Sequence, residues 1–227
     1  MIEWQPIILT FRLALVTTVI LLVISIPLAH WLAFTKSRFR YIVETLVSLP
    51  LILPPTVLGF YLLIAFSPNR SFGNFIEDVF GLRLVFSFTG LVIGSVIYSL
   101  PFMVQPIQSG FAQIPRSLSE ASAVLGKSSI TTLRKVLIPN AKPAILSGLI
   151  LSFAHTIGEF GVVLMLGGNI PGVTKVASIA IYDEVQILNY PAAHIYSAVL
   201  LVVSFAILLT VHVLNGGILK LTHDDRD

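Results

Sequence analysis

Cysteine is absent from this 227-residue sequence, and charged residues are scarce. Without cysteine the chain can form no disulfide, bind no metal through a thiolate and use no cysteine nucleophile. Charged residues make up 11% of the sequence and hydrophobic residues 56%, whereas soluble domains contain roughly 25% charged residues. This composition is typical of an integral membrane protein. The small basic excess of +3 is spread along the chain and indicates no nucleic-acid partner.

Long apolar runs dominate what is present. Crossing the hydrocarbon core of a bilayer takes about 20 apolar residues. Five stretches of about that length contain no Lys, Arg or Asp, and they are residues 13–34, 42–66, 85–103, 144–166 and 195–214. The first follows an amino terminus without the basic segment of a signal peptide, so we expect a retained helix. The sequence predicts an all-α membrane protein with about five transmembrane helices in a single domain, residues 1–227.

Basic residues are distributed unevenly around these runs. One side carries ten of them, namely Lys36, Arg38, Arg40, Arg116, Lys127, Arg134, Lys135, Lys142, Lys220 and Arg226. The other side carries three, Arg70, Arg83 and Lys175, with Arg12 at the outer end of the first run. Because cytoplasmic loops carry the Lys and Arg excess, we predict an inner-membrane protein with its amino terminus outside and its carboxyl terminus in the cytoplasm.

Three prolines interrupt the second run at Pro50, Pro54 and Pro55. Each removes a backbone donor and crowds the carbonyl four residues earlier, so this helix should be kinked or broken. Lipid cannot satisfy the freed carbonyls, which should therefore face protein or a wet cavity. Two interpretations remain open, a packing kink and the lining of a pathway or gate.

The longest inner connection, residues 104–143, carries a second pattern in its loop at residues 111–143. Ser117 followed by Glu120 matches a capping box and predicts a helix start. The apolar residues that follow share one helical face, and Gly126 can end the helix as a C-cap. A second helix should begin at Ser128 or Ser129 and end at Pro139. Such short helices need a surface to pack on, which also allows an ordinary loop helix at the lipid headgroups.

The residues of this loop resemble a known family. Glu120-Ala121-Ser122, then Gly126, then Val136-Leu137-Ile138-Pro139 is similar to the cytoplasmic EAA loop of ABC importer permeases. The resemblance implies the type I importer permease fold and a coupling helix that docks on a separate ATPase. The residues that it assigns to coupling are Ser117, Leu118, Glu120, Ala121, Ser122, Leu125, Gly126 and Pro139.

Three further stretches narrow the resemblance. Residues 49–59 (LPLILPPTVLG), 158–161 (GEFG) and 169–172 (NIPG) resemble molybdate permeases, and tungstate, sulfate and thiosulfate permeases are relatives. Sulfate permeases usually carry an added N-terminal helix, so a chain that begins at the first core span favours molybdate. The resemblance implies a second copy of the chain, two ATPase subunits that bind ATP and Mg, and an external molybdate-binding protein as partners. It implies no cofactor in this chain.

Catalytic motifs are missing. Gly126-Lys127-Ser128 looks like the end of a phosphate-binding loop, but Ala121 stands where the first glycine is required. The five histidines show no metal-ligand spacing. We therefore expect a non-catalytic subunit, with ATP hydrolysis in a separate chain.

Glu159 lies deep inside the fourth apolar run, where an ionisable residue is a functional hypothesis by default. On a continuous helix His155 and Ser152 would share its face, so we predict a His155–Glu159 pair. Direct contact between Glu159 and an anion is disfavoured by like charge. Two roles remain open for Glu159, a structural one in helix packing and one in shaping the pathway or gate, and both residues join the three prolines as candidates for the pathway or gate.

Two other classes of function remain open at this point. A secondary transporter carries its own ion site and often shows two repeated halves, and no repeat is visible. An intramembrane hydrolase needs paired catalytic groups at membrane depth, for which His155 and Glu159 are the available pair.

Overall fold

The computed structural model describes the backbone of residues 3–221 and the side chains of residues 3–210. Arg226 and the side chain of Lys220, both used in the prediction of orientation, lie outside the described residues. The helices in chain order are α1 (Gln5–Phe34), α2 (Phe39–Ile52), α3 (Pro55–Phe66), α4 (Ser71–Phe80), α5 (Phe88–Gln113), α6 (Arg116–Val124), α7 (Ser129–Thr132), a π-helical turn (Leu133–Leu137), α8 (Ile138–Asn140), α9 (Lys142–Ile157), α10 (Gly161–Gly167), α11 (Ala177–Gln186) and α12 (Tyr190–Leu221).

The prediction of a helical membrane protein is confirmed. Helices α1, α5 and α12 are each long and apolar enough to cross a bilayer, and two bent helix pairs bring the number of candidate spans to as many as five. Helix α5 lies at the centre and packs against α1, α2, α9 and α10. Its fully buried residues Met103, Val104, Ile107 and Phe111 form the main apolar core with residues of α1.

The second span is broken, as its prolines predict. Helix α2 continues through Pro50 and ends at Ile52, and α3 begins at Pro55 with a bend of 115°. The break occurs at Leu53 and Pro54 because a residue that precedes proline is driven away from helical geometry. Leu53 is accordingly extended, with ψ 134°.

The fourth predicted span is not one helix, which corrects the expectation for residues 144–166. Helix α9 ends at Ile157 and α10 begins at Gly161, so Glu159 lies in the break between them. Glycines at 158 and 161 weaken helix propensity by roughly 1 kcal/mol each. The apolar run is long enough for a span, but run length alone carries no information about this interruption.

Helices α3 and α10 pack unusually closely. A Cβ placed on Gly161 would lie 2.8 Å from Pro55 Cβ and 3.1 Å from the Thr56 nitrogen, and one placed on Gly59 would lie 2.9 Å from Met165 Cβ. Small residues allow such backbone approach between membrane helices. The contact holds the two helix breaks against each other.

Candidate functional site

An open cavity of about 430 Å³ lies where the two helix breaks face each other. Its lining residues are Pro55, Thr56, Tyr98, Ala154, His155, Gly158, Glu159, Phe160 and Gly161. Of the residues that the sequence assigns to a pathway, the cavity brings together Pro55, His155 and Glu159. Pro50 and Pro54 lie outside its lining. Interrupted backbone at membrane depth is tolerated where it is buried in protein or lines a wet cavity, and this cavity supplies that setting.

His155 is held by three side chains of α5. Its Nδ1 lies 2.9 Å from Ser99 Oγ. Its ring stacks on Phe102 with the ring centroids 3.9 Å apart and an interplanar angle of 25°, and the Tyr98 centroid lies at 4.6 Å. These contacts fix both the position and the plane of the imidazole at the cavity wall.

Glu159 is buried, with 3% of its surface exposed. The Ser95 hydroxyl of α5 is the polar side chain beside the Glu159 carboxylate, although no hydrogen bond of ordinary geometry reaches either carboxylate oxygen among the residues that the structure describes. The Glu159 carbonyl oxygen accepts a hydrogen bond of 2.6 Å from Ser178 Oγ of α11. The break is thus attached to α11 through its backbone.

The predicted His155–Glu159 pair is wrong. Within the described residues the ion pairs are Arg40–Glu44 and Lys175–Asp183, and His155 bonds to Ser99 instead. A pair at i and i+4 requires a continuous helix, whereas α9 ends at Ile157, between the two residues. The one-face alignment of Ser152 with Glu159 fails for the same reason.

The sequence argument missed Tyr98, Ser99 and Phe102 as partners of His155. A signal for them was present, because positions 98, 99 and 102 share one face of a helix. A serine and a tyrosine on that face, inside an otherwise apolar span, mark a polar contact. The spacing of these residues does not show which helix packs against them.

The loop that contains α6 presents a different surface. Apolar side chains of α6 and its C-terminus are exposed, with Leu118 at 40%, Val124 at 86% and Leu125 at 72%. Glu120 and Ala121 are exposed as well, whereas Ser122 is buried. A two-turn helix that turns its apolar residues to solvent has a free face for a partner.

The predicted C-cap at Gly126 is confirmed. Gly126 has φ +69°, its N–H bonds to the Ala123 carbonyl, and the Lys127 N–H bonds to the Ser122 carbonyl. These two bonds form a Schellman motif. Nothing lies within 4 Å of a Cβ placed on Gly126, so the positive φ alone favours glycine here.

The capping box at Ser117 is wrong. Helix α6 begins at Arg116 with Pro115 as its N-cap, and no side chain caps it. The chain leaves α5 at Gln113 and starts α6 after two residues. Because Pro115 supplies a preset φ at the helix start, Ser117 lies already inside the first turn.

The second loop helix begins as predicted and ends later. Ser128 caps it by accepting a hydrogen bond from the Thr131 N–H. It does not end at Pro139 but continues to Asn140. A π-helical turn precedes Pro139, and in this turn the Ile138 N–H bonds to the Leu133 carbonyl. The wider turn accommodates proline, which has no N–H to donate. Ser122 Oγ and Thr132 Oγ1, 2.8 Å apart, join α6 to α7.

A family model, "Binding-protein-dependent transport system inner membrane component", matches residues 22–219. This chain belongs to that family. The permease is 44% identical over 204 residues to the molybdenum transport system permease protein ModB of Azotobacter vinelandii, with 90% of each chain covered. It is 34% identical over 205 residues to the putative molybdenum transport system permease protein YvgM of Bacillus subtilis, again with 90% of each covered.

A solved structure gives the same fold. The MetNI methionine ABC transporter in inward-facing conformations contains a chain that matches this permease with a TM-score of 0.72 at 17% identity, covering 92% of this chain and 93% of the other. The expected permease fold is therefore confirmed, and the permease is a multi-pass membrane protein. Its interrupted helices and its α6 loop lie within the matched family region.

Proposed function

We propose that this permease forms the translocation pathway of an ABC importer for molybdate. The observation that carries the proposal is the 44% identity to a molybdenum transport system permease protein over 90% of both chains. The cavity at the helix breaks gives the pathway a few polar side chains in a mainly apolar wall within the membrane. Sulfate, tungstate and thiosulfate are chemically related alternatives, and a self-contained secondary transporter is the alternative from another class.

Coupling to a separate ATPase belongs to the α6 loop in this proposal. Exposed Leu118 and Leu125 offer apolar contact area, and the Schellman turn at Gly126 fixes the direction in which α6 projects. The buried Ser122 hydroxyl joins α6 to α7 through its hydrogen bond with Thr132. The coupling residues are those that the sequence assigns, namely Ser117, Leu118, Glu120, Ala121, Ser122, Leu125, Gly126 and Pro139. ATP and Mg bind to the partner ATPase.

The complete importer contains two copies of this permease, two ATPase subunits and an external molybdate-binding protein. Tight recognition belongs to that binding protein, because a pathway must release its ion as well as admit it. The pathway or gate in each copy includes Pro50, Pro54, Pro55, His155 and Glu159. Pro54 and Pro55 set the bend, and His155 and Glu159 contribute the polar groups.

Uptake by the reconstituted importer tests the proposal. Proteoliposomes that contain permease, ATPase and binding protein should accumulate molybdate only with ATP, and vanadate should block the uptake. Tungstate should compete more strongly than sulfate. If sulfate is taken up and molybdate does not inhibit that uptake, the protein is a sulfate permease. Uptake driven by an ion gradient in the permease alone would make it a secondary transporter.

The orientation has a separate test, because the sequence contains no cysteine. Asn69 is exposed in the loop between α3 and α4, and Lys36 lies in the loop between α1 and α2. A single cysteine at Asn69 should react with a membrane-impermeant thiol reagent applied to intact cells, and one at Lys36 should not. The opposite pattern would reverse the predicted topology.

A further inference from the structure

Two side-chain hydrogen bonds join α2 to α5 inside the candidate membrane spans. Gln108 Nε2 donates to Glu44 Oε1 at 2.8 Å, and Gln105 Nε2 donates to Ser48 Oγ at 3.1 Å. The two bonds lie one turn apart on each helix, which is the register of antiparallel neighbours. Glu44 Oε2 also lies 3.5 Å from Arg40 Nε, so a guanidinium balances this carboxylate. The contact between α2 and α5 therefore contains a polar seam.

The face of α5 beside this polar seam is open. Four residues at intervals of three or four share one side of the helix, namely Tyr98, Phe102, Gln105 and Ser109. Gln105 and Ser109 are exposed, and the other two are half-buried. Tyr98 lines the cavity at the helix breaks, and Phe102 stacks on the His155 ring of its wall. The open face thus runs from the cavity toward the α6 loop.

Two helices flank the open face and turn it into a groove. On one side α2 is attached through the polar seam. On the other side α9 packs closely, because Gly110 leaves room for Ala144. The stretch from Tyr98 to Ser109 covers about 16 Å at the helical rise of about 1.5 Å per residue. We call this feature the α5 groove.

Lipid is an unfavourable neighbour for the α5 groove. A glutamine that faces hydrocarbon leaves amide groups without hydrogen-bond partners, which costs free energy. Polar side chains within membrane spans accordingly face the bundle interior or a water-filled cavity. The opposite face of α2 differs, since Leu46 is 60% exposed there and suits contact with lipid. The groove is open in a single chain, so something other than lipid must cover it.

We propose that the α5 groove is a water-filled section of the translocation pathway between the cavity and the α6 loop, closed on its open side by a second copy of the permease. The inference rests on the proposed function, in which two copies form the importer. Gln105 and Ser109 keep this section wet with uncharged groups. An oxyanion can then pass with its water shell, because nothing along the groove binds it tightly.

Cysteine accessibility tests the proposal, because the sequence contains no cysteine. The complete importer in lipid nanodiscs exposes both faces to a charged, water-soluble methanethiosulfonate reagent. Gln105→Cys and Ser109→Cys should react at least roughly tenfold faster than Leu46→Cys, because a thiol reacts as its thiolate, and hydrocarbon opposes an unpaired charge. Leu46 is a matched control for depth, since it lies between Glu44 and Ser48 along α2.

Modification should also block transport. In proteoliposomes of the complete importer with the reagent on both sides, Ser109→Cys should lose most ATP-driven molybdate uptake, and Leu46→Cys should keep it. Ser109→Cys removes a hydroxyl that accepts from Gln113 of the same helix, so it should assemble as the wild type does. It decides the test even if Gln105→Cys, which breaks the bond to Ser48, fails to assemble.

Two results would overturn the proposal. Equal reaction rates at Ser109→Cys and Leu46→Cys, whether fast or slow, would show that the groove is no wetter than the lipid-facing side of α2. Complete modification of Ser109→Cys with undiminished uptake would show that the ion passes elsewhere.

Failure of the proposed function gives a different result. A wild-type importer that carries sulfate and not molybdate contradicts the substrate assignment alone. The labelling contrast between Ser109→Cys and Leu46→Cys uses no transported ion, so it still decides whether the α5 groove contains water.

Discussion

The cavity and the α6 loop both contain side chains in positions that folding stability alone does not favour. In the cavity an ionisable group is buried, whereas in the loop apolar groups are exposed. At membrane depth, Glu159 is 3% exposed and forms no ion pair among the described residues. On the predicted cytoplasmic side, Val124 is 86% exposed and Leu125 72%. Burying an unpaired polar group costs free energy, and leaving apolar area in water forgoes about 25 cal/mol per Å².

The difference indicates two kinds of occupant. Polar groups around a cavity suit a polar ligand that passes through, whereas an exposed apolar face suits a protein partner that stays. Variants in the loop should therefore change attachment of the ATPase, and variants at the cavity should change transport while the ATPase remains attached. Each prediction below tests one side of this comparison.

The largest effect is expected at Gly126. A valine there must adopt φ +69°, which costs a β-branched residue roughly 1–2 kcal/mol and is enough to redirect a two-turn helix. Gly126→Val should insert normally in the membrane, lose most co-purification with the ATPase and lose ATP-driven uptake.

Gly81 is a matched control for that substitution. It has φ +64°, caps α4 on the opposite side of the molecule and also has nothing within 4 Å of a Cβ. Gly81→Val imposes the same backbone strain and should leave ATPase attachment intact. Equal loss of attachment in the two variants would remove the special role of the α6 loop.

The next effect is expected where α3 meets α10. Gly161→Ala places a methyl group 2.8 Å from Pro55 Cβ and 3.1 Å from the Thr56 nitrogen, an overpacking that typically costs about 1–3 kcal/mol. Thermal stability of the purified complex should fall. In Gly158→Ala the nearest atoms lie at 3.8 and 3.9 Å, so its stability should match wild type. Equal melting temperatures for all three proteins would show that the close approach is not needed.

A smaller effect is expected from Glu159→Gln. The change keeps the shape and removes a buried carboxyl that forms no ion pair among the described residues, so thermal stability should stay the same or rise. Transport rate should change, while preference among molybdate, tungstate and sulfate stays as in wild type. A switch of preference would mean that Glu159 selects the anion.

Structural features that depend only on residues nearby in the chain were predictable from the sequence. Features that depend on packing against another helix were not. Gly126 could be assigned because a C-cap needs only its own turn, and the break at Pro54 because proline restricts the residue before it. The break at Glu159 could not, since α10 is positioned by its contact with α3 through Gly161. His155 was recognised as polar and buried, but its partner Ser99 lies 56 residues away.

Ser117 and Ser128 give the smallest and most selective prediction. The sequence suggests each as a helix cap, but only Ser128 caps a helix, by accepting from the Thr131 N–H at 3.3 Å. Ser117 lies inside α6, whose N-cap is Pro115. Loss of a serine N-cap costs about 0.5–2 kcal/mol, so Ser128→Ala should loosen α7 and, through the Ser122–Thr132 bond, the base of α6. Amide hydrogen exchange across residues 117–132 should accelerate in Ser128→Ala and stay at the wild-type rate in Ser117→Ala. Faster exchange in Ser117→Ala alone would restore the capping box that the sequence predicts and contradict the helix start at Arg116.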